Sequence, residues 1–559
     1  MMINGLTWER FVSTKTNTTI IIIVLACTAS VLIPALARAD DPPEVALGER
    51  LFLETRFAQY FFANCNGDVN ATLAVGDPVM STLSTPAGSI PGPFAGKSMN
   101  CRQCHVVDDA KSTGGGGSRS YSDFARRSPI PAREDGRTQT PRNSPSLVNA
   151  SLTRPAKTGF FLHFDGEFTS LRDLVNGTYT GRNYGWLPNE SAAAIHHIAT
   201  VIRQDNGKGD LAKAFGGAYR FVLKGEGNQI PEAFRIPAHL RIDVMKATDE
   251  QVVRAATTFV AIYMNQLLFS QDDNGIFNGS PYDLFLKKNS LPPSPGKHET
   301  ALAYGRRLLA RINALNTPKF VTPADGSLQL HAQSFQFGAT ELAGLKLFLS
   351  EPAFTPSGSA GNCIACHAPP AFTDFRFHNT GATQEEYDAI HSDGSFKALT
   401  IPSHTQRLMN THEFLPPNAS DPTALGRFIS VPIVNDPVRV DLGMWNVIGN
   451  PNTPKPQRAL IQMLTRPGEK KPKLDTLVDR SIAHFKTPGL RDLGHSGPYL
   501  HTGRMNTLED VVQFYVKFSA LSRADAVRNP DPDISKIQLE DSDVDALAKF
   551  LKSLNEDYE

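Results

Sequence analysis

Two short stretches, NCRQCHVV (100–107) and NCIACHAP (362–369), each place two cysteines three apart with a histidine directly behind. Cys-x-x-Cys-His is the attachment sequence of c-type haem. The spacing follows from the chemistry. Each thiol adds to one vinyl group of the porphyrin, and two intervening residues let both sulfurs reach the same ring. The next residue, His105 or His367, then lies under the iron. A redox-active dithiol has no need of the histidine. A zinc site requires further paired ligands at short spacing, and none is nearby. The motifs therefore predict two covalent haems, held by Cys101 and Cys104 and by Cys363 and Cys366, with His105 and His367 as iron ligands.

The ends of the chain agree with such a cofactor. Arg10 and Lys15 precede the apolar run TTIIIIVLACTASVLIPALA, which closes on Ala37-Arg38-Ala39. This reads as a signal peptide over 1–39, removed on export to the periplasm. A lipoprotein anchor at Cys27 ranks second, because the chain stays apolar after that cysteine. An uncleaved anchor ranks third. No later segment is apolar and long enough to span a membrane. A formal net charge of 0 over 559 residues argues against nucleic acid as partner. Cleavage removes Cys27, and the motifs use four of the five cysteines left. Cys65 remains without a role, which is no basis for a disulfide framework.

The repetition extends beyond the motifs. ALGERLFLETRF (46–57) before the first resembles LAGLKLFLSEPAF (342–354) before the second, both with apolar residues at helical spacing. Downstream, FLHFDGEFTSLRDLV (161–175) parallels YLHTGRMNTLEDVV (499–512), and TPRNSPSL (140–147) parallels TPGLRDL (487–493). Thr169 or Ser170, and Asn506 or Thr507, suit helix N-caps. The reading is a mainly α chain of two tandem haem domains, 40–290 and 291–559, divided at the Pro-rich LPPSPGKH (291–298). Long inserts at about 299–340 and 382–480 read as loops with short elements. SDVDALAKFLKSL (542–554) reads as a closing helix.

The residue opposite each histidine decides what its haem does. A second strong ligand makes an electron carrier, and a free position admits a small molecule. Tyr515 lies seven residues after Leu508, and the same count from Leu171 arrives at Thr178. No histidine occurs between His105 and His163, and the Gly-rich loop 112–129 offers no good ligand. The first iron is thus expected to be open and the second six-coordinate. Tyr515 as ligand competes with Tyr515 as a core residue and with Met505. His163 and His501 fall at equivalent places in the two halves, which points to a shared structural role. His196 and His197 read as surface or packing residues.

LGERLF, CRQCH, PRNSPSLVNA, LFLSEPAF, CIACH, FTDFRFHNTG, FKTPGLRDLGHSGPYLHTG and LEDVVQFY together resemble the bacterial di-haem cytochrome c peroxidase/MauG family, in family order over most of the mature chain. The resemblance implies two cytochrome-c-like domains with a calcium ion between them. Its ligands would be Asn143 with the carbonyls of Ser496 and Pro498, oxygen donors suited to a hard cation. It also implies that Tyr515 ligates the second iron, as in MauG, where the ordinary peroxidases have methionine. The loop histidine that those peroxidases displace on activation is missing here. Glu190 in LPNES would move a proton between peroxide oxygens, against the plainer reading of a carboxylate at a helix start. Two features depart from the family. Phe164 stands where its inter-haem Trp is expected, the nearest Trp being Trp186, and its distal Gln is absent.

Together these readings predict a periplasmic di-haem oxidoreductase that reduces hydrogen peroxide, or handles oxygen, at the first haem. Its electrons would come through the second haem from a small redox protein or an oxidised protein side chain. The rivals are an oxygenase- or MauG-like enzyme acting on an organic or protein substrate, and a non-enzymatic electron carrier.

Overall fold

In the computed structural model, the described residues are 41–73, 82–85, 88–91, 100–101, 104–105, 127–128, 130–152, 160–328, 333–354, 358–466 and 468–556. The leader 1–39, Cys27 and all but two residues of the Gly-rich loop lie outside them. The chain is mainly helical. The helices that build the cores are α1 (Pro43–Leu53), α2 (Leu171–Tyr179), α3 (Ser191–Gln204), α4 (Asp249–Gln266), α5 (Pro281–Lys288) and α6 (Ala301–Asn313). They continue with α7 (Ala339–Leu349), α8 (Ala382–His391), α9 (Gln457–Leu464), α10 (Leu474–Arg480), α11 (Leu508–Arg523) and α12 (Val544–Lys552). Among the described residues, sheet is limited to two antiparallel pairs, β1 (Thr82–Thr85) with β2 (Gly88–Pro91) and β3 (Phe377–His378) with β4 (Phe485–Lys486). Among the described residues no helix is long and apolar enough to cross a membrane.

The repeat read from the motif-flanking segments is a repeat of helix crossings. α1 buries Leu47, Leu51 and Phe52 and lies along α4, with Phe52 and Tyr263 at 5.3 Å. α7 buries Leu345, Phe348 and Leu349 and lies along α12, with Phe348 and Phe550 at 5.2 Å. Gly48 and Gly344 occupy the same place in the two copies. A methyl at Gly48 would strike the Phe259 carbonyl oxygen, and one at Gly344 the Ala546 carbonyl oxygen. Glycine lets each pair of backbones approach this closely.

Polar groups under α1 are buried in a closed network. Arg50 is fully buried, donates to Asp205 at 2.8 Å, and lies 3.6 Å over the Tyr219 ring. Burial pushes the Glu54 carboxyl up, but the Arg56 guanidinium beside it prevails and holds it at about 2.

The second core gathers Tyr282, Phe285, Tyr304, Phe348, Phe372 and Phe550. Thus α5, which precedes the Pro-rich stretch 291–298, packs with the second half. The described residues all fall within one compact unit.

The first insert differs from its expectation as loops with short elements. It contains α6, thirteen residues capped by Thr300, with Tyr304, Leu308 and Ile312 buried at steps of four. That stripe is wide enough to dock a helix on the second core. The second insert holds short helices, as its broken sequence suggested, yet it builds a third core. Trp445, Phe428, Leu442 and Leu460 are buried there together with Phe161 from the first half.

Candidate functional site

Both motifs fold into the same turn. His105 N donates to Cys101 O at 3.0 Å, and His367 N to Cys363 O at 2.9 Å. The asparagine before each motif is buried and anchored. Asn100 Nδ2 donates to Leu53 O at 2.8 Å, while Asn362 uses its backbone N on Ser350 O at 2.9 Å and its side chain on Asp533 O at 3.1 Å. Each turn is thereby fixed to the end of α1 or α7. The asparagines were visible in both quoted stretches, but nothing in their sequence marked them as anchors.

The two turns line one cavity of about 840 Å³, which both cysteine pairs and both histidines share. Its chemistry fits haem attachment. The described cysteines are free thiols. Burial pushes Cys101 up to about 12, Cys104 to about 11 and Cys363 to about 12, with Cys366 raised for the same reason. A catalytic dithiol or a thiolate–metal site needs the opposite shift, whereas thioether formation consumes a thiol. Burial also holds the His105 imidazole down at about 4 and lowers His367. Both rings are therefore neutral at pH 7, the form that ligates a metal. His367 Nδ1 lies 3.0 Å from the Phe372 carbonyl, and the Pro145 backbone acts on the His105 ring.

Above the second motif, Tyr515 lines the cavity from α11. Burial first, then the neighbouring Cys366 and Cys363, raises its phenol above the ordinary value. Its rival Met505 is not among the lining residues and packs instead beside Phe514 and Phe518. Thr178, the counterpart of Tyr515 on α2, also lines the cavity. Ser170 and Thr507 cap these helices, accepting from Asp173 N and Asp510 N.

The turn before each of these helices is also repeated, and its register corrects one equivalence. Leu162 bridges Phe168 and Tyr499 bridges Met505. His163 and Leu500 both have positive φ, as do Gly166 and Gly503. His163 thus corresponds to Leu500, and it is Phe164 that corresponds to His501. Matching the Leu-His pairs by letter put the register one residue off. The two histidines differ accordingly. His163 is half-buried beside Glu167 at 3.3 Å. His501 is buried, stacked on Phe485 at 3.5 Å, and 6.4 Å from Phe164. Of the other pair, His196 is exposed and His197 is buried with Nε2 2.7 Å from Arg56 O, so one is surface and one is packing.

Glu190 sits at the start of α3, outside the residues that line the cavity. Arg133 grips its carboxylate with two hydrogen bonds, at 2.8 and 3.0 Å, and Leu187 N donates to it at 2.8 Å. Partial burial raises its pKa, but the Arg133 pairing outweighs this and keeps it below the ordinary value. Asn143 reaches Pro498 directly, its Nδ2 donating to that carbonyl at 2.5 Å and to Leu500 O at 3.3 Å. Ser496 lines the same cavity. Nearby, Asp165 shares a turn with His163 and Glu167, their donor atoms within 4.8 Å of one another, and is itself engaged by Arg142.

Two contributions went unread in the sequence. Tyr184 is buried with its hydroxyl 3.3 Å from Cys101 Sγ. Pro416, Pro417, Pro422 and Ile429, all from the second insert, form part of the cavity wall. No spacing rule links an insert to a motif that precedes it by more than 300 residues.

No protein-family model matches the chain. Among curated proteins it is 22% identical over 195 residues to "Cytochrome-c peroxidase IdrP2" of Denitromonas iodatirespirans, covering 35% of this chain and 36% of that protein. It is 26% identical over 159 residues to "Cytochrome-c peroxidase IdrP1" of the same organism, covering 28% of each. It is 30% identical over 111 residues to "Methylamine utilization protein MauG" of Paracoccus denitrificans (strain Pd 1222), covering 17% of this chain and 27% of MauG. The matched segments thus span about a third or less of these relatives. Among solved structures, the diheme peroxidase BthA from Burkholderia thailandensis E264 superposes with a TM-score of 0.42 at 17% identity, covering 92% of this chain and 86% of that chain. A MauG-like protein associated with microbial copper homeostasis gives 0.40 at 14% identity, covering 92% and 90%. The sequence matches, to cytochrome-c peroxidases and MauG proteins, and the two haem-attachment motifs support the chain's resemblance to the di-haem cytochrome c peroxidase/MauG family.

Proposed function

We propose that the chain is a periplasmic di-haem c-type oxidoreductase that reduces hydrogen peroxide at its first haem with electrons passed through its second. One observation carries this reading: both motifs line one cavity, and the helix position that places the Tyr515 phenol in its wall beside Cys363 and Cys366 is occupied by Thr178 in the first half. Haem iron, held by Cys101, Cys104 and His105 and by Cys363, Cys366 and His367, would supply the electron exchange with peroxide. Thr178 is a poor iron ligand and leaves room for a small molecule. Tyr515 offers an anionic oxygen that favours the oxidised metal. Each peroxide takes up two electrons and two protons and leaves as two waters. The electrons come from a small redox protein or from an oxidised protein side chain.

The same reading makes 40–290 and 291–559 two cytochrome-c-like domains, with 1–39 a cleaved leader. It assigns a calcium ion to Asn143, Ser496 and Pro498. Turning the Asn143 amide would aim its oxygen, rather than its nitrogen, at the same point as the Pro498 carbonyl. Glu190 is ionised and could accept a proton only if it released Arg133. Glu190→Gln is therefore expected to lose less than about tenfold in the rate of reaction with peroxide. A loss of about 100-fold or more would mark Glu190 as the proton-transfer group instead.

A second reading draws on the insert. A wall of Pro416, Pro417, Pro422 and Ile429 suits an organic or protein substrate better than peroxide alone. Electron paramagnetic resonance of the ferric protein separates the possibilities. One high-spin and one low-spin haem, with the high-spin signal lost on adding peroxide, is the expected result. A high-spin signal that ignores peroxide but responds to an organic substrate favours the second reading. Two low-spin haems inert to peroxide would leave an electron carrier.

A further inference from the structure

Most cations that line the cavity have carboxylate partners. Arg142 is paired with Asp165 and Asp441, and Arg491 with Asp283. Arg182 is paired with Asp135, which also acts on Arg137. Lys486 has none among the described residues. It lies on β4, held by its backbone N donating to Phe164 O at 2.7 Å. Its half-buried side chain lines the cavity, and Nζ donates to Phe161 O at 2.7 Å. Burial alone acts on the ammonium and pushes it down to about 8.

A buried charge without a counter-ion is costly, and proteins retain one where a partner arrives from outside. Arg407 supplies the contrast. It too is buried away from carboxylates, but it donates to the Trp445 and Ile448 carbonyls, lies 4.5 Å over the Trp445 ring, and is not part of the cavity wall. Its charge is dispersed within the protein. Lys486 has one carbonyl and an open side facing the space that both motifs share. A haem brings two propionate carboxylates into that space.

We propose that Lys486 is a haem-binding residue whose ammonium pairs with a propionate carboxylate in the shared cavity. This rests on the reading of the chain as a c-type haem protein. The pair would join the first half to the second, because Lys486 is anchored through Phe161 and Phe164 while β4 belongs to the sequence that precedes α11.

The test compares the full-length haem-loaded protein with Lys486→Met and Lys486→Arg. Haem is counted by the pyridine haemochrome, the propionate bending band is followed by resonance Raman, and reduction is followed by spectropotentiometry. Lys486→Met should keep two haems, shift that band, and move the reduction equilibrium of one haem toward ferric by about tenfold. Lys486→Arg should restore both. Loss of haem from the Met variant with retention in the Arg variant would also support the pairing. An unchanged band and equilibrium in Lys486→Met would overturn it, as would equal shifts, or equal loss of haem, in both variants. A parent protein without haem would instead overturn the haem reading on which the proposal rests.

Discussion

Tyr515→Phe is expected to show two high-spin ferric haems where the parent shows one. The substitution keeps the ring and removes only the hydroxyl. In the structure the phenol lines the cavity beside the second motif, and its pKa is raised by burial and then by Cys366 and Cys363. A buried phenol gives up its proton only to a strong nearby positive charge, and ferric iron is such a charge. Ligation and deprotonation are therefore one event, and removing the oxygen removes both. The low-spin signal of one haem should vanish. Its reduction equilibrium should move toward ferrous by tenfold or more, about 1.4 kcal/mol, because an anionic ligand that favoured ferric iron is gone. Met505 cannot substitute from its site beside Phe514 and Phe518 without refolding the turn that precedes α11. A spectrum unchanged by Tyr515→Phe would make Tyr515 a core residue and send the search for a ligand elsewhere.

How much of this was legible depended on whether the signal was local. The Cys-x-x-Cys-His turns, the caps Ser170 and Thr507 and the closing helix α12 follow from neighbours within a few residues, and periodicity or capping chemistry reveals them. Tyr515 and Thr178 were found by counting from a helix start, which works because both helices begin from the same turn. The same counting failed for His163 and His501. There the register is set by where φ turns positive, at His163 and at Leu500, and matching letters hide this. α6 was hidden by the Pro-rich sequence around it, although Tyr304, Leu308 and Ile312 form a plain helical stripe. The Arg133–Glu190 pair, the insert residues in the cavity wall and the isolation of Lys486 depend on contacts between distant segments. One sequence contains no trace of those.

Arg142 shows how strongly such distant contacts can matter, and Arg142→Met is expected to cost about 3–5 kcal/mol of stability. The guanidinium joins Asp165, on the turn that carries Phe164, to Asp441 in the second insert, with Nη2 and Asp441 Oδ1 at 2.9 Å. Asp165 and Asp441 are 1% and 3% exposed, so removing the cation strands two carboxylates. Burial pushes the Asp441 carboxyl up, but Arg142 outweighs it and holds the group below its ordinary value of 3.8. In the parent, that pairing stabilises the fold above the ordinary value and is lost as pH falls below it. In the variant the Gly443 amide and His501 still favour the carboxylate, but burial, the largest influence, is no longer offset by Arg142, so the carboxyl pKa rises and ionisation at neutral pH costs stability. The deficit should be largest at pH 7 and shrink below about pH 5, which denaturant midpoints at the two pH values would read directly. Asp441→Asn in the Arg142→Met background should recover part of the loss, because an amide does not need the cation. A deficit under about 1 kcal/mol, or one independent of pH, would mean that water reaches the carboxylates. The turn bearing Phe164 would then be held to the insert by the packing of Phe161 and Phe164 with the third core rather than by charge.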